Sequence, residues 1–435
     1  MTATRLILYY DKKTRYSVNA LIAAADRVPG VRVEVADTPG RLMEEVEEAS
    51  RNREKCVVGY SLLTTMLVDE SFLNTLKTIL HHAESHGCLT IAGGPHASGD
   101  PVGVLRSLGF KVVFIGEAEE TIREFLGELV NDGDPLRVKG LAFYEDDRLV
   151  FTGRRKPVDL DNYDPFPYWR GLINPVEVTR GCPYGCSYCQ VSYMHGAFYR
   201  HRSIGRIVYY VRELARLGVR DYRFITPDSL SYGLSTVRRE PDVGLIDELL
   251  SSLHEVARDV GGRIFYGSFP SEVRPEHVTG EAVRVLRRYV SNREIIVGAQ
   301  SGSDRVLSMV RRGHSVDDVL NAVRVISENG FTPSVDVILG IPGETREDQE
   351  ETLRLIERIL GMGGRIHVHY YLPLPGTPLG LKTPAPVPAD VEARISRLIG
   401  SGKAYGSWFN QKELSRRILE LHRRGLIAPS QRANA

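Results

Sequence analysis

The sequence predicts an α/β protein of two parallel-sheet domains in series: a Rossmann-like doubly wound sheet, then a partial (β/α)6 barrel followed by a helical C-terminal tail. Three observations carry this. Apolar runs and helix-period segments alternate five times between residue 1 and about residue 130. The alternation resumes near residue 175 and runs for six steps. A Pro- and Asp-rich stretch separates the two series. The expected domains are 1–135, a hairpin and linker over 136–174, the barrel over 175–380 and the tail over 381–435.

The first series has strand candidates RLILYY, VRVEVA, CVVGYSLL, CLTIAGG and KVVFIG, rich in Val, Ile and Leu. Helix-period segments lie at 17–28, 40–50, 68–84, 101–107 and 118–130. Near-continuous apolar strands separated by helices read as a parallel sheet covered on both faces. Ligands in that architecture bind at the carboxyl ends of the strands. VKGLAFYEDDRLVFTG (138–153) has two apolar runs around Glu145-Asp146-Asp147 and reads as a β-hairpin. KPVDLDNYDPFPYWRG reads as an extended linker, because its prolines disfavour helix. The second series has strands PVEVTR, YRFIT, RIFYGS, EIIVGAQ, SVDVILG and IHVHYYL, with a helix expected after each of the first five. Such a barrel places its chemistry at the strand C-termini. From residue 387 the pattern is amphipathic and helical.

The chain has 435 residues and a net charge of +1, so composition gives no basic excess to suggest a nucleic-acid partner. No apolar stretch reaches membrane-spanning length, and the N-terminus reads as a strand rather than a signal peptide. A cytoplasmic protein is expected. Of five cysteines, three lie within eight residues, unlike a disulfide framework. Cys56 and Cys88 each open an apolar run and are expected to be small buried hydrophobes.

VEVTRGCPYGCSYCQ (176–190) begins as a strand and becomes a Gly/Pro-punctuated loop carrying Cys182, Cys186 and Cys189. Three thiolates can each hold one iron of a cubane cluster and leave the fourth iron without a protein ligand. Gly181 and Gly185 let the loop wrap closely. Structural zinc is the alternative. It usually takes four ligands at paired spacings, and the fourth would be Cys56, Cys88, His195 or His201.

CxxxCxxC at the end of a first barrel strand, with Tyr188 before the last cysteine, resembles the radical S-adenosylmethionine (SAM) superfamily. The resemblance implies a [4Fe–4S] cluster on the three cysteines and SAM chelated to the open iron. An electron from the cluster then cleaves SAM to methionine and a 5′-deoxyadenosyl radical, which abstracts hydrogen from a substrate.

Other strand ends are similar to the family piecewise. In VDVILGIPGE, Gly340, Ile341 and Pro342 fall where the adenine packs; a tight turn opening a helix at Glu344 and Thr345 reads equally well. Gln300 and Ser301 end the fourth barrel strand and could contact SAM, whereas Ser303 reads as a helix N-cap. Arg311, Arg312 and His314 either line the site or end a solvated helix. Ser268, Ser271, Glu272 and Arg274 follow the third strand and by position could hold the ribose or carboxylate of SAM, unless Glu272 and Arg274 merely pair on a surface turn. Where many members carry Gly-Gly-Glu, this chain has Thr226-Pro227-Asp228-Ser229, so Asp228 becomes the candidate acceptor for the SAM ammonium. PLPGTPL (373–379) is expected to close the site as a rigid loop.

The N-terminal domain resembles the cobalamin (B12)-binding class. Ser61-Leu62-Leu63 matches its Ser-x-Leu after the third strand, Gly93-Gly94 its glycine pair after the fourth, and Gly116-Glu117 follows the fifth. Ser61, Leu63, Gly93, Gly94, His96, Gly116 and Glu117 are thus candidate cobalamin contacts, although a Gly-Gly turn is generic and a loop His is commonly solvated. The class's Asp-x-His-x-x-Gly is absent: Asp11 is followed by Lys12, Lys13 and Thr14. Any cobalamin would therefore lack a His ligand on its lower face.

The expected protein is a radical SAM enzyme, cobalamin-dependent and methylating an unactivated carbon, fed by an electron donor such as ferredoxin or flavodoxin. The alternatives are a cobalamin-free enzyme of methylthiotransferase type and a non-catalytic corrinoid- or metal-binding module. Methylthiotransferases carry extra N-terminal cysteines for a second cluster, and only Cys56 and Cys88 remain here.

Overall fold

A computed structural model describes residues 3–428, which form two compact units. The first comprises the chain up to Asn174, Leu374–Leu381 and the chain from Arg416; the second comprises Pro175–Pro373 and Lys382–Ser415.

The first unit is a seven-stranded sheet. Strands β1 (Thr4–Tyr9), β2 (Val31–Ala36), β3 (Lys55–Ser61), β4 (Leu89–Gly93) and β5 (Val112–Phe114) are parallel in the order β2-β1-β3-β4-β5. The predicted hairpin, β6 (Leu141–Glu145) and β7 (Arg148–Phe151), extends this sheet antiparallel at the β5 edge. Helices Arg15–Ala25, Pro39–Arg51, Glu70–Ser85 and Glu119–Val130 connect the strands. Leu6, Leu8, Val57 and Ile91 pack against Ile22 and Phe125 to form one core. Register sets Ser61 beside Gly93, so the ends of β3 and β4 open onto the same edge.

Cys56 and Cys88 correct the reading made from sequence. Both are buried, but they form a disulfide. Val57 pairs with Leu89, so the residues that precede them lie side by side on neighbouring parallel strands, 4.5 Å apart at Cα. Opening consecutive strands is what brings the thiols together.

Arg5 is fully buried on β1 and pairs with Glu45, Glu48 and Glu54 at 2.7, 3.1 and 2.5 Å. Removing one partner of a buried network leaves charge poorly compensated, here on Glu45, which would keep only the half-exposed Arg41 at 2.6 Å. Arg5→Met is therefore expected to destabilise the first unit by about 3–5 kcal/mol, seen as a lower denaturant midpoint.

The second unit has β8 (Val176–Glu177), β11 (Asp221–Ile225) and β12 (Arg263–Phe265) in one parallel sheet. β13 (Glu294–Gln300), β14 (Thr332–Leu339), β15 (Arg365–Tyr370) and β16 (Ala404–Tyr405) form another. A Val273–Val297 bridge and the Ile296 N–H to Gly267 bond join the chain after β12 to β13. β9 (Thr179–Arg180) and β10 (Arg200–His201) form a small antiparallel ladder around the cysteine loop. The six expected strands are all present. The seventh, β16, lies where only helix was expected: Ala389–Gly400 is the crossover from β15 to β16.

Candidate functional site

The cysteine loop follows β9 and is folded back on itself by short polar contacts. Ser192 Oγ donates to Cys182 O at 2.6 Å and accepts from Gly185 N–H, and Tyr193 donates to Gly185 O. Gly181 has φ +81°, and a Cβ there would lie 2.3 Å from Phe198 O, so only glycine fits. At the loop's base Glu177 accepts two bonds from Arg180, with Arg202 at 3.4 Å. Burial alone would raise Glu177, but the two arginines hold its carboxyl down to about 2.

Cys182, Cys186 and Cys189 are free thiols, and Cys186 is 4% exposed. Burial raises Cys182 and pushes Cys189 up to about 12. A buried thiol set of this kind ionises readily only when metal compensates its charge. Among the described residues the one group with single-ion spacing, all ligand atoms within 4.8 Å, is Asp336, His367 and His369 and not the cysteines. Free, glycine-wrapped thiols without single-ion spacing fit a multi-iron cluster better than one zinc ion.

Arg312 is a positive charge beside the loop. It is buried and donates to Gly298 O at 2.5 Å, to the Tyr188 hydroxyl at 3.3 Å and to Cys186 Sγ at 3.6 Å. Its neighbours separate by alternation: Arg311 is exposed, whereas His314 is buried 3.2 Å from Arg312 Nε. Burial and the Arg312 charge lower His314 to about 3, so it is neutral.

Asp228 is not presented to a ligand, contrary to the reading made from sequence. It is fully buried; Oδ1 accepts from Leu230 and Arg274 N–H, and Oδ2 meets His277 Nδ1 at 2.5 Å. The carboxylate is built into the wall. Arg274 is likewise no surface residue: 4% exposed, it bonds Glu276 at 2.6 Å and lies 3.3 Å over the Tyr184 ring. Ser271 is buried and donates to Ser268 O, while Ser268 Oγ is buried without a partner.

Gln300 ends β13 at a bulge, with φ +74°. Ser301 Oγ accepts from Ser303 N–H and sits 3.4 Å from Thr352, so the turn itself consumes it. Ser303 stands at the helix start but donates to Asp348 instead of capping. After β14, Gly340 takes φ +81° against the Tyr370 ring, and Ile341 and Pro342 are buried. Glu344 accepts from Gly340 N–H at 2.8 Å and from Gln349 at 3.2 Å.

Burial pushes Glu344 up to about 7 from its ordinary 4.5. A raised carboxyl binds its proton more tightly folded than unfolded, so the charge costs nothing below about pH 4.5 and its full amount above about pH 7. The stability gained by Glu344→Gln over wild type is therefore expected to grow by roughly 1–3 kcal/mol between pH 5 and pH 8. Thermal midpoints of both proteins at the two pH values check this.

Three polar side chains on β14 and β15 were missed from sequence, and they lie close to Glu272, which was not. Asp336 on β14 and His367 and His369 on β15 share one face; His367 Nδ1 lies 3.0 Å from Asp336 Oδ1 and 3.1 Å from His369 Nε2. Glu272, after β12, feels the charges of Asp336 and His369; burial and then Asp336 push it up to about 7. The period-two spacing of His367 and His369 in IHVHYY was the available signal.

In the first unit, Gly94 has φ +90°, and a Cβ there would meet Ser61 Oγ at 2.8 Å and the Leu62 backbone at 3.0 Å. Ser61 Oγ and His96 Nε2 are buried without partners, and His96 Nδ1 lies 3.0 Å from Thr64 Oγ1. His96 is thus buried rather than solvated, and burial lowers it to about 3. Leu63 is half-buried, and Gly93 leaves room for a Cβ. Gly116 N–H donates to Ser98 Oγ and Glu117 accepts from Val158 N–H, so this pair ties loops together.

Residues 176–356 match the family model of the radical SAM superfamily, and residues 15–126 match that of the B12 binding domain. The chain belongs to the radical SAM superfamily, in the class with a B12-binding domain. As a radical SAM enzyme it carries a [4Fe–4S] cluster and uses SAM. An uncharacterised protein of Methanopyrus kandleri is 27% identical over 79% of this chain and 70% of its own length. A tRNA-2-methylthio-N(6)-dimethylallyladenosine synthase of Pelobacter propionicus is 33% identical over 49% of this chain and 47% of its own; the chain spans about half the length of such relatives. Among solved structures, the radical SAM methyltransferase TsrM from Kitasatospora setae, with cobalamin and [4Fe–4S] bound, aligns at TM-score 0.67 and 18% identity over 88% of this chain and 74% of that one. The cobalamin-dependent radical SAM enzyme OxsB aligns at 0.64 and 15% over 82% and 52%. These two share the radical SAM enzyme's fold. No described helix is long and apolar enough to cross a membrane.

Proposed function

We propose that this radical SAM enzyme is cobalamin-dependent and methylates an unactivated carbon. The observation that carries the reading is one chain holding both an open three-thiol loop and a strand edge where Ser61 Oγ and His96 Nε2 are buried without partners beside Gly94. When bound, the cluster supplies the electron that cleaves SAM, and the corrinoid carries the methyl group. Cys182, Cys186 and Cys189 hold the cluster and leave one iron open; Arg312 offsets its negative charge. Gln300 and the Gly340–Pro342 turn frame SAM. Ser61 and His96 offer polar atoms to the corrinoid, and Gly94 admits its close approach. Disulfide pairing of Cys56 and Cys88 leaves no thiols for a second cluster, which favours this reading over a methylthiotransferase. A cytoplasmic enzyme reduced by a ferredoxin or flavodoxin fits the same reading.

Purified protein incubated with hydroxocobalamin and desalted is expected to keep a corrinoid absorption spectrum. Gly94→Val should lose it while keeping the cluster's iron. Wild-type protein without corrinoid would overturn cobalamin dependence and leave the radical SAM assignment standing.

A further inference from the structure

We propose that Asp336, His367 and His369 form a second metal site, inside the barrel and separate from the cysteine loop, that takes a divalent first-row transition ion such as zinc. The three ligand atoms converge. Asp336 Oδ1, His367 Nδ1 and His369 Nε2 are separated by 3.0, 3.1 and 3.9 Å. Bonds of about 2.1 Å around one ion place neighbouring ligands roughly 3.0–3.4 Å apart, so the set nearly closes on a single point. Two imidazoles and one carboxylate are a recurrent ligand set for such ions.

The surroundings point the same way. Asp336 is 4% exposed, while His367 and His369 keep about a quarter of their side-chain surface, so the site is deep on one side and open on the other. Glu272 brings a second carboxylate within electrostatic reach of Asp336 and His369. The fixed positive charge felt by Glu272, Arg312, is spent on Gly298 O, Tyr188 and Cys186, so a bound cation would offset both carboxylates. The rings are held in place: Tyr405 stacks on His367 at 4.5 Å, and the Gln411 amide lies 3.2 Å from His369 Nδ1. Backing of the far nitrogen is the usual outer shell of a metal-bound imidazole. Ligation through Nε2 keeps the proton on Nδ1, so the Gln411 amide would turn its oxygen to the ring, giving up the Tyr370 N–H that its oxygen now accepts. Three protein ligands leave coordination positions open, so an oxygen of a bound substrate could reach the ion.

The test is Zn(II) added to anaerobically reconstituted protein, followed by gel filtration and elemental analysis of zinc and iron in one sample. Zinc at one per chain is expected, both in this protein and in a variant with all three loop cysteines changed to Ala. That second arm excludes thiol-bound zinc and separates this proposal from the cluster assignment. His367→Ala with His369→Ala should weaken zinc binding on the order of 100-fold or more, with iron retained as the sign of an intact fold; Gln411→Ala should weaken it roughly 10-fold. Zinc well below one per chain, or zinc unchanged in the double His variant, would overturn the site.

Discussion

Cys182→Ala leaves the reconstituted protein with iron near background instead of about four per chain, and SAM cleavage falls below detection. The expectation follows from the loop. In the proposed cluster each of the three thiols holds one iron, and the next cysteines in the chain, Cys56 and Cys88, are joined to each other. The Gly181 turn and the Ser192 clasp fix the loop's backbone independently of Cys182 Sγ, so the substitution removes a ligand without unfolding the site. Corrinoid absorption should be unchanged, because Ser61, Gly94 and His96 belong to the other compact unit. Iron analysis, 5′-deoxyadenosine quantification and the visible spectrum, all on one preparation, check the three parts together.

Arg312→Met is expected to lower both the thermal midpoint and the iron retained by the protein. The guanidinium is 8% exposed and fans out to Gly298 O, Tyr188 and Cys186 Sγ, with His314 against its Nε. His314 is held neutral, so it supplies no replacement charge. Deleting the cation leaves a buried carbonyl without its donor and Cys186 Sγ without the guanidinium beside it. The cost should be about 3–5 kcal/mol, with iron loss during desalting. Arg312→Lys keeps the charge but not the planar fork, and should fall between the two. The thermal midpoint and iron retention of the three proteins decide it; Arg312→Met with wild-type values in both would show that the cation is dispensable.

Much of this was legible in the sequence, for identifiable reasons. Cys182, Cys186 and Cys189 are close in the chain, so spacing alone exposed them. Strand periodicity exposed both sheets, because parallel strands buried on two faces are nearly continuous apolar runs. What escaped depends on long-range contacts. Asp228 looked like a free acceptor because two of its three partners, His277 and the Arg274 N–H, lie more than forty residues away. Ser303 looked like a cap, yet its hydroxyl is drawn to Asp348 on another helix. The Cys56–Cys88 pair follows from strand register, which apolar patterning does not report. β16 is two residues long, too short for any periodicity. His367 and His369 were legible as a same-face pair, but Asp336 joins them only through the β14–β15 pairing.

The proposed cluster sits on the cysteine loop with one iron open to SAM. The direct measurement is 5′-deoxyadenosine formation by the anaerobically reconstituted protein with SAM and dithionite, alongside its iron content. About four irons per chain and a product that requires both SAM and reductant are predicted. Tightly bound zinc in the loop, with no SAM cleavage, would contradict it.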